Sequence, residues 1–136
     1  MENQLIIYSG VCNIILTLYL YEISRRNIVK AYKDKKIDKG YAKLYQGKAP
    51  EYLELSRQTL KNQFEIPIIF YFWISLVVST GNVSLLDIIF SWLFVISRYI
   101  HCYLRLTSNY IPYRAKVFTL GILFLIGGWI NFLLNI

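Results

Sequence analysis

Polar and ionisable side chains recur along an apolar segment near residue 95. With Phe94, five of them lie on one helical stripe at spacings of four, three, four, three and four residues: Asp87, Ser91, Phe94, Arg98, His101 and Arg105. Guanidinium groups hold carboxylates by forked, charge-assisted hydrogen bonds, and a neighbouring histidine adds a further polar group. This stripe therefore indicates a site for an anionic ligand.

A second polar face lies earlier in the sequence. It consists of Gln58, Asn62 and Glu65, which also follow helical spacing, and Arg57 adjoins it. Arg114 lies beyond the end of the stripe. Together these segments bring a carboxylate, two amides, a histidine and several arginines toward one end of the molecule. A purely structural bundle does not require that surplus of positive charge, whereas an anionic ligand would offset it.

Structural roles remain open for the same residues. Glu65 and Arg98 are compatible with a buried ion pair between two helices, and His101 with an interhelical hydrogen bond. Arg105 and Arg114 are compatible with interfacial anchors that extend toward lipid headgroups. Asp87 stands three residues after a serine, which is typical of a capping box at a helix start.

Metal chemistry is not predicted. The two cysteines, Cys12 and Cys102, have no metal-ligand spacing, and each lies in or beside an apolar run. Both are interpreted as packing residues, with the alternative of a reactive thiol open for Cys102 because it adjoins His101.

The elements that position these residues are membrane helices. The chain has 136 residues, of which 56% are hydrophobic and 17% aromatic, and its mean hydropathy of +0.41 is too apolar for an ordinary soluble domain. The net charge of +7 is concentrated between apolar runs, so anionic lipid and small anions are predicted partners and nucleic acid is not.

Four apolar runs approach the roughly 20 residues that cross a bilayer. We predict one all-α domain over residues 1–136, a four-helix transmembrane bundle with a long first connection at about 24–49. The predicted spans are about 4–23, 62–80, 85–104 and 116–135. The first run lacks a basic preceding segment and is predicted to be retained rather than cleaved.

The second helix is predicted to start earlier than its apolar run. Ala49-Pro50-Glu51 has the composition of a helix start, and a helix from there to Thr80 would run about 45 Å. Pro67 lies within that helix and is predicted to bend it near the membrane boundary.

Basic residues predict the orientation. Eleven of the 15 lysines and arginines lie between residues 24 and 61, and the other four lie in or near the third connection. The first and third connections are therefore predicted to be cytoplasmic and both termini outward. The run from Arg25 to Lys48 is explained by this orientation and by attraction to anionic lipid.

Two segments carry a family resemblance. The sequence resembles the membrane-associated proteins in eicosanoid and glutathione metabolism, the MAPEG family, and most of all its bacterial branch. The matching positions form the patterns N-x-F-E-x-P-x-x-F-Y, R-x-x-H and N-x-x-x-x-R, which here are Asn62, Phe64, Glu65, Pro67, Phe70, Tyr71, Arg98, His101, Asn109 and Arg114.

The resemblance implies a homotrimer in a bacterial inner membrane, with glutathione held between subunits in the cytoplasmic half of the membrane. By resemblance, the glutathione-binding residues are Gln58, Asn62, Glu65, Arg98, His101 and Arg105, with Arg57 as a neighbour, and Arg114 is the catalytic residue that stabilises the thiolate. The family's helix-two arginine falls at Gln58 here, and Arg105 stands where several eukaryotic members have tyrosine.

Glutathione carries two carboxylates, one ammonium and a thiol, so it needs several cations, one anion and a stabilised thiolate. Arg98, Arg105 and Arg57 suit the carboxylates, Glu65 the ammonium, and Asn62 and Gln58 the amides. The predicted function is a membrane-bound glutathione transferase or peroxidase for hydrophobic electrophiles or lipid hydroperoxides. The alternatives are a non-catalytic lipid- or partner-binding protein and a small transporter.

Overall fold

The computed structural model describes residues 2–136 and is helical throughout, with short connections. Four segments are long and apolar enough to cross a membrane, namely Glu2–Lys33, Glu51–Thr80, Leu85–Leu106 and Ile111–Leu134. The helices are α1 (Glu2–Lys33), α2 (Lys39–Leu44), α3 (Glu51–Lys61), α4 (Ile66–Thr80), α5 (Leu85–Leu106) and α6 (Ile111–Leu134). The all-α, four-span architecture predicted from hydropathy is confirmed.

The second span is interrupted near its middle. It begins at Glu51 after Pro50, as its composition predicts, but a 3₁₀ turn at Asn62–Phe64 separates α3 from α4. Pro67 has no N–H to donate to the carbonyl of Gln63, and it disfavours α geometry at the residue before it. Glu65, with φ −102° and ψ −91°, leaves the helical region. The bend expected at Pro67 therefore takes the form of a helix break in the turn before it.

The main core lies between α1, α4, α5 and α6 and has a group of aromatic side chains within it. Phe70 of α4 stacks on Phe94 of α5, with ring centroids 4.5 Å apart, and Trp73 is fully buried beside them. Gly128 lets α6 approach closely, since a Cβ at that position would overlap the ring of Trp73. This core holds the inner face of α5 in a fixed orientation against its neighbours.

A polar network closes the end of the bundle at the α4–α5 turn. Ser84 and Asp87 form the predicted capping box, which the structure confirms. Asp87 is 1% exposed and also accepts a hydrogen bond from Asn131 Nδ2 at 2.8 Å. Asp87 is therefore a structural residue that joins α5 to α6.

The connection between α1 and α3 is folded. Asp38 caps α2 by accepting a hydrogen bond from the Tyr41 backbone N–H, and Tyr41 packs with Ala31, Ile37 and Leu53 in a small buried cluster. This cluster holds α2 against the ends of α1 and α3. The basic residues of this segment, which predict the orientation, therefore lie on an ordered structure.

Candidate functional site

Arg98 is the most deeply buried cation of the predicted site. Its side chain is 2% exposed, and it makes one long hydrogen bond, from Nη2 to the Asn62 carbonyl at 3.4 Å. Its Nε has no partner, and its guanidinium lies 5.6 Å from the ring centroid of Phe118. Within residues 2–136, no carboxylate oxygen approaches Arg98 to within 4.0 Å. A buried cation with so few partners favours binding of an anion.

Glu65 does not neutralise Arg98 in this chain. Its side chain is exposed on the outer surface at the break between α3 and α4, and Asn62, one turn earlier, is half-buried. The ion pair considered from the sequence is therefore not formed in the described chain. Glu65 instead presents a carboxylate at the outside of the bundle, where a ligand or a second protein chain can reach it.

His101 joins α5 to α6 and keeps one ring nitrogen free. The ring is 3% exposed, its Nδ1 lies 3.3 Å from the Arg114 carbonyl oxygen, and its Nε2 has no partner. If Nδ1 carries the proton and donates to that carbonyl, Nε2 is left as an acceptor. The interhelical hydrogen bond expected for a structural histidine is thus present, and a second polar atom remains available.

Arg105 and Gln58 meet at the edge of the site. Arg105 Nη2 donates to Gln58 Oε1 at 2.8 Å, while Arg105 Nε is buried and without a partner. Gln58 is exposed and Arg105 is half-buried. The two polar faces predicted separately from the sequence therefore come together through this contact.

Arg114 lies in the first turn of α6 and is held by the preceding turn. Its Nη1 donates to Asn109 Oδ1 at 2.5 Å, and Asn109 has a left-handed backbone with φ 48°. Asparagine tolerates that conformation better than most residues. The N-x-x-x-x-R spacing therefore corresponds to a turn in which Asn109 fixes the Arg114 side chain. The backbone carbonyl of the same arginine contacts His101.

Arg57 contacts the folded connection. Its Nη1 donates to Tyr41 Oη at 2.7 Å and approaches Glu54 Oε1 at 3.4 Å, and its guanidinium stacks 4.2 Å from the centroid of the Tyr45 ring. These contacts engage one of its three guanidinium nitrogens. The assistance of Arg57 in ligand binding stays a prediction.

Gln63 is a site residue that the sequence reasoning missed. It is 2% exposed, its Nε2 donates to Cys102 Sγ at 3.1 Å, and its Oε1 has no partner. On a continuous helix it would not share the face of Asn62 and Glu65. The helical spacing itself was the available signal, because Gln63 lies four residues after the buried Thr59 and four before the buried Pro67.

Comparison with known proteins gives one result. The sequence model of the MAPEG family matches residues 5–134. A search of curated proteins and a search of solved structures return no match. The matched range includes every residue described above at the junction of α3, α5 and α6.

Proposed function

This chain belongs to the MAPEG family, and from that premise we propose that it is a glutathione-dependent transferase or peroxidase acting on hydrophobic electrophiles or lipid hydroperoxides. The chain is a multi-pass integral membrane protein with four spanning helices. The observation that carries the proposal is Arg98, a buried guanidinium without a carboxylate partner in the described chain.

The unpartnered atoms suit the functional groups of glutathione. Arg98 and Arg105 each have a buried Nε free to bind carboxylates, and the exposed Glu65 offers a carboxylate for the ammonium group. Amide groups of Asn62 and Gln58 are available for the peptide bonds. In the proposed homotrimer, a neighbouring subunit would complete the site beside Glu65, which is exposed in this chain.

Arg114 is the proposed catalytic residue. A free thiol with a pKa near 8.5 is only a few per cent ionised at neutral pH, and lowering that pKa by two units is worth about 2.7 kcal/mol. A half-buried guanidinium supplies stabilisation of that order when water is largely excluded. Arg114 is fixed at the helix start by Asn109, so its charge is already oriented before a ligand binds.

Both proposed reactions balance in atoms and electrons with glutathione as the co-substrate. In the transferase reaction, the thiolate sulfur forms a bond to an electrophilic carbon, and the leaving group departs with the electron pair of the broken bond. In the peroxidase reaction, the hydroperoxide is reduced to an alcohol and water while two glutathione thiols are oxidised to one disulfide. The apolar substrate would reach the site from the lipid, which accounts for a thiol site within a membrane.

A non-catalytic member of the family is the second candidate, because the outer surface of the bundle is apolar along its length. Leu18, Leu86 and Ile130 are each at least half exposed. Such a surface fits lipid or a partner helix as well as it fits a substrate. A transporter is less well supported. An ion path would need an ionisable group near the other end of the bundle, where the carboxylate of Asp87 already accepts hydrogen bonds from Ser84 and Asn131.

Purified protein in detergent provides the test. We expect saturable glutathione binding by calorimetry and conjugation of 1-chloro-2,4-dinitrobenzene or reduction of cumene hydroperoxide. Arg114→Ala should lower kcat by about 10- to 100-fold while glutathione affinity changes little. Lys116→Ala is the matched control, because this exposed cation lies in the same turn. Binding without turnover would support the non-catalytic candidate, and absence of both would reject the proposal.

A further inference from the structure

The folded connection between α1 and α3 contains a cavity that the proposed function does not use. It has a volume of about 760 Å³ and is open to solvent. Four lysines line it together with a single acid, Asp38. The lysines are Lys33, Lys35, Lys36 and Lys48.

The single acid on the cavity wall is already engaged. Asp38 Oδ1 accepts the backbone N–H of Tyr41 at 2.6 Å and so caps α2. In the part of the chain that the structure describes, the ion pairs formed are those of Glu22 and Glu54 with arginines, and none involves a cavity lysine. Four lysines thus line one space without an ion-pair partner in residues 2–136, with Lys36 Nζ 5.6 Å from the centroid of the Tyr52 ring. An anion would relieve the repulsion among these charges.

The backbone holds these lysines in place. Lys36 N–H bonds to the Ala31 carbonyl and Lys35 N–H to the Tyr32 carbonyl, which is the hydrogen-bond pattern of a Schellman helix end. Lys35 occupies the left-handed position of that motif, with φ 55°, where glycine is less strained. Lys48 enters from the other side of α2, next to Gly47 with φ 114°. The cavity is therefore bounded by two ordered turns.

Membrane topology does not account for this arrangement. The orientation signal needs positive charge near the membrane, which Arg25 and Arg26 supply directly after the apolar run, and it does not need a concave surface. Lys33 in the last turn of α1 also interacts favourably with the helix dipole. Lys48 adds to the same orientation signal, but that signal does not require it to line one cavity with lysines from the other side of α2.

Distance from the bilayer distinguishes a lipid headgroup from a soluble ligand. Lys33 lies twelve residues beyond Tyr21, where the apolar run ends, which corresponds to about 18 Å of helix. The headgroup layer of one leaflet is only about 5–8 Å thick. The cavity is therefore too far along α1 for an ordinary phospholipid headgroup to fill it.

We propose that this cavity is a binding site for a soluble phosphate-bearing anion, formed by lysines from both sides of α2. Its size suits a small ligand with more than one phosphate group. The proposal is independent of the glutathione site, from which Arg57 and its contacts with Tyr41 and Tyr45 separate it.

Calorimetric titration with inorganic pyrophosphate tests the proposal, using the full chain in a neutral detergent at about 0.15 M salt. We expect saturable binding by the wild type and at least about a tenfold loss of affinity in Lys35→Gln/Lys48→Gln. The matched control is Lys39→Gln/Lys43→Gln, which removes the same charge from the same connection but outside the cavity. The control should bind pyrophosphate within about twofold of the wild type.

Equal weakening in the two double variants would overturn the proposal, because it would show diffuse electrostatic attraction rather than a site. Absence of saturable binding by the wild type would also overturn it. Repeating the titration in nanodiscs distinguishes the source of the phosphate. If phosphatidylglycerol discs abolish pyrophosphate binding and phosphatidylcholine discs do not, the lipid headgroup fills the cavity and the soluble ligand is rejected.

Discussion

Arg105 of α5 donates a hydrogen bond from Nη2 to Oε1 of Gln58 on α3, at 2.8 Å. The family resemblance places an arginine at position 58 and, in several members, a tyrosine at position 105. In this chain Arg105 lies on the opposite helix and contacts the side chain at position 58. We therefore propose that Arg105 supplies from α5 the positive charge that the resemblance places on α3.

This exchange predicts the behaviour of two variants. Arg105→Gln should weaken glutathione binding by about tenfold or more, because it removes a charge-assisted hydrogen bond from a partly buried site. The swapped double variant, Gln58→Arg with Arg105→Gln, should recover most of the loss. Calorimetry on the purified proteins measures both affinities. Wild-type affinity in Arg105→Gln would show that this arginine is only an anchor, and failure of the swap would show that position 58 does not face the ligand.

Arg98→Met separates ligand binding from stability. Because Arg98 is buried with one long hydrogen bond, replacing it by an apolar side chain of similar length should leave the melting temperature of the ligand-free protein unchanged or raised. The increase in melting temperature caused by glutathione should disappear. Thermal unfolding with and without glutathione measures both effects, and Arg26→Met, an exposed arginine, is the control. A large fall in melting temperature without ligand would instead assign Arg98 a structural role.

The inner face of α5 was predictable because a continuous helix obeys a fixed period. Asp87, Arg98 and His101 were assigned to one stripe from spacing alone, and all three are buried. The capping box at Ser84 was predictable for a related reason, since it depends only on local sequence. These features require no knowledge of how distant helices pack.

The features that sequence reasoning did not assign depend on tertiary contacts. Gln63 shares a helical face with the buried Thr59 and Pro67 rather than with Asn62 and Glu65, and its place beside the site follows from its contact with Cys102 of α5. The contact of Arg57 with Tyr41 joins residues 16 apart in the sequence, which no helical spacing indicates. Helix α2 has only six residues and depends on such contacts for its stability.

Tyr41 predicts a pH effect in the connection. Its hydroxyl donates to Glu54 and accepts from Arg57, and burial together with the Glu54 hydrogen bond raises the pKa of the Tyr41 phenol. The unfolded phenol ionises near pH 10, so the folded state retains its proton to a higher pH than the unfolded state does. The stabilisation is therefore complete below about pH 10 and decreases as the pH rises through the folded-state pKa.

Comparison of the wild type with Tyr41→Phe measures this effect. At pH 8 the variant should melt at a lower temperature, because it loses hydrogen bonds to two charged groups. The difference should shrink above pH 10, while the other tyrosines titrate equally in both proteins. A difference that does not depend on pH would show that Tyr41 contributes through packing alone.

The network at the opposite end of the bundle predicts coupling between two helices. Asn131 Nδ2 donates to Asp87 Oδ1 at 2.8 Å and to Ser84 Oγ at 2.9 Å, so Asn131→Leu leaves a buried carboxylate with fewer donors. The expected cost is about 1–3 kcal/mol of unfolding free energy. Adding Asp87→Ala should cost less in this background than in the wild type, because the carboxylate has already lost a partner.

A double-mutant cycle in thermal or denaturant unfolding measures this coupling, with Asn3→Leu, the same substitution at an exposed residue of α1, as the control. The control should unfold nearly as the wild type does. Glutathione affinity should be unchanged in every folded variant, since the proposed site lies at the other end of α5. Strictly additive costs would show that Asp87 and Asn131 contribute independently, and that the joint between α5 and α6 depends on the aromatic core instead.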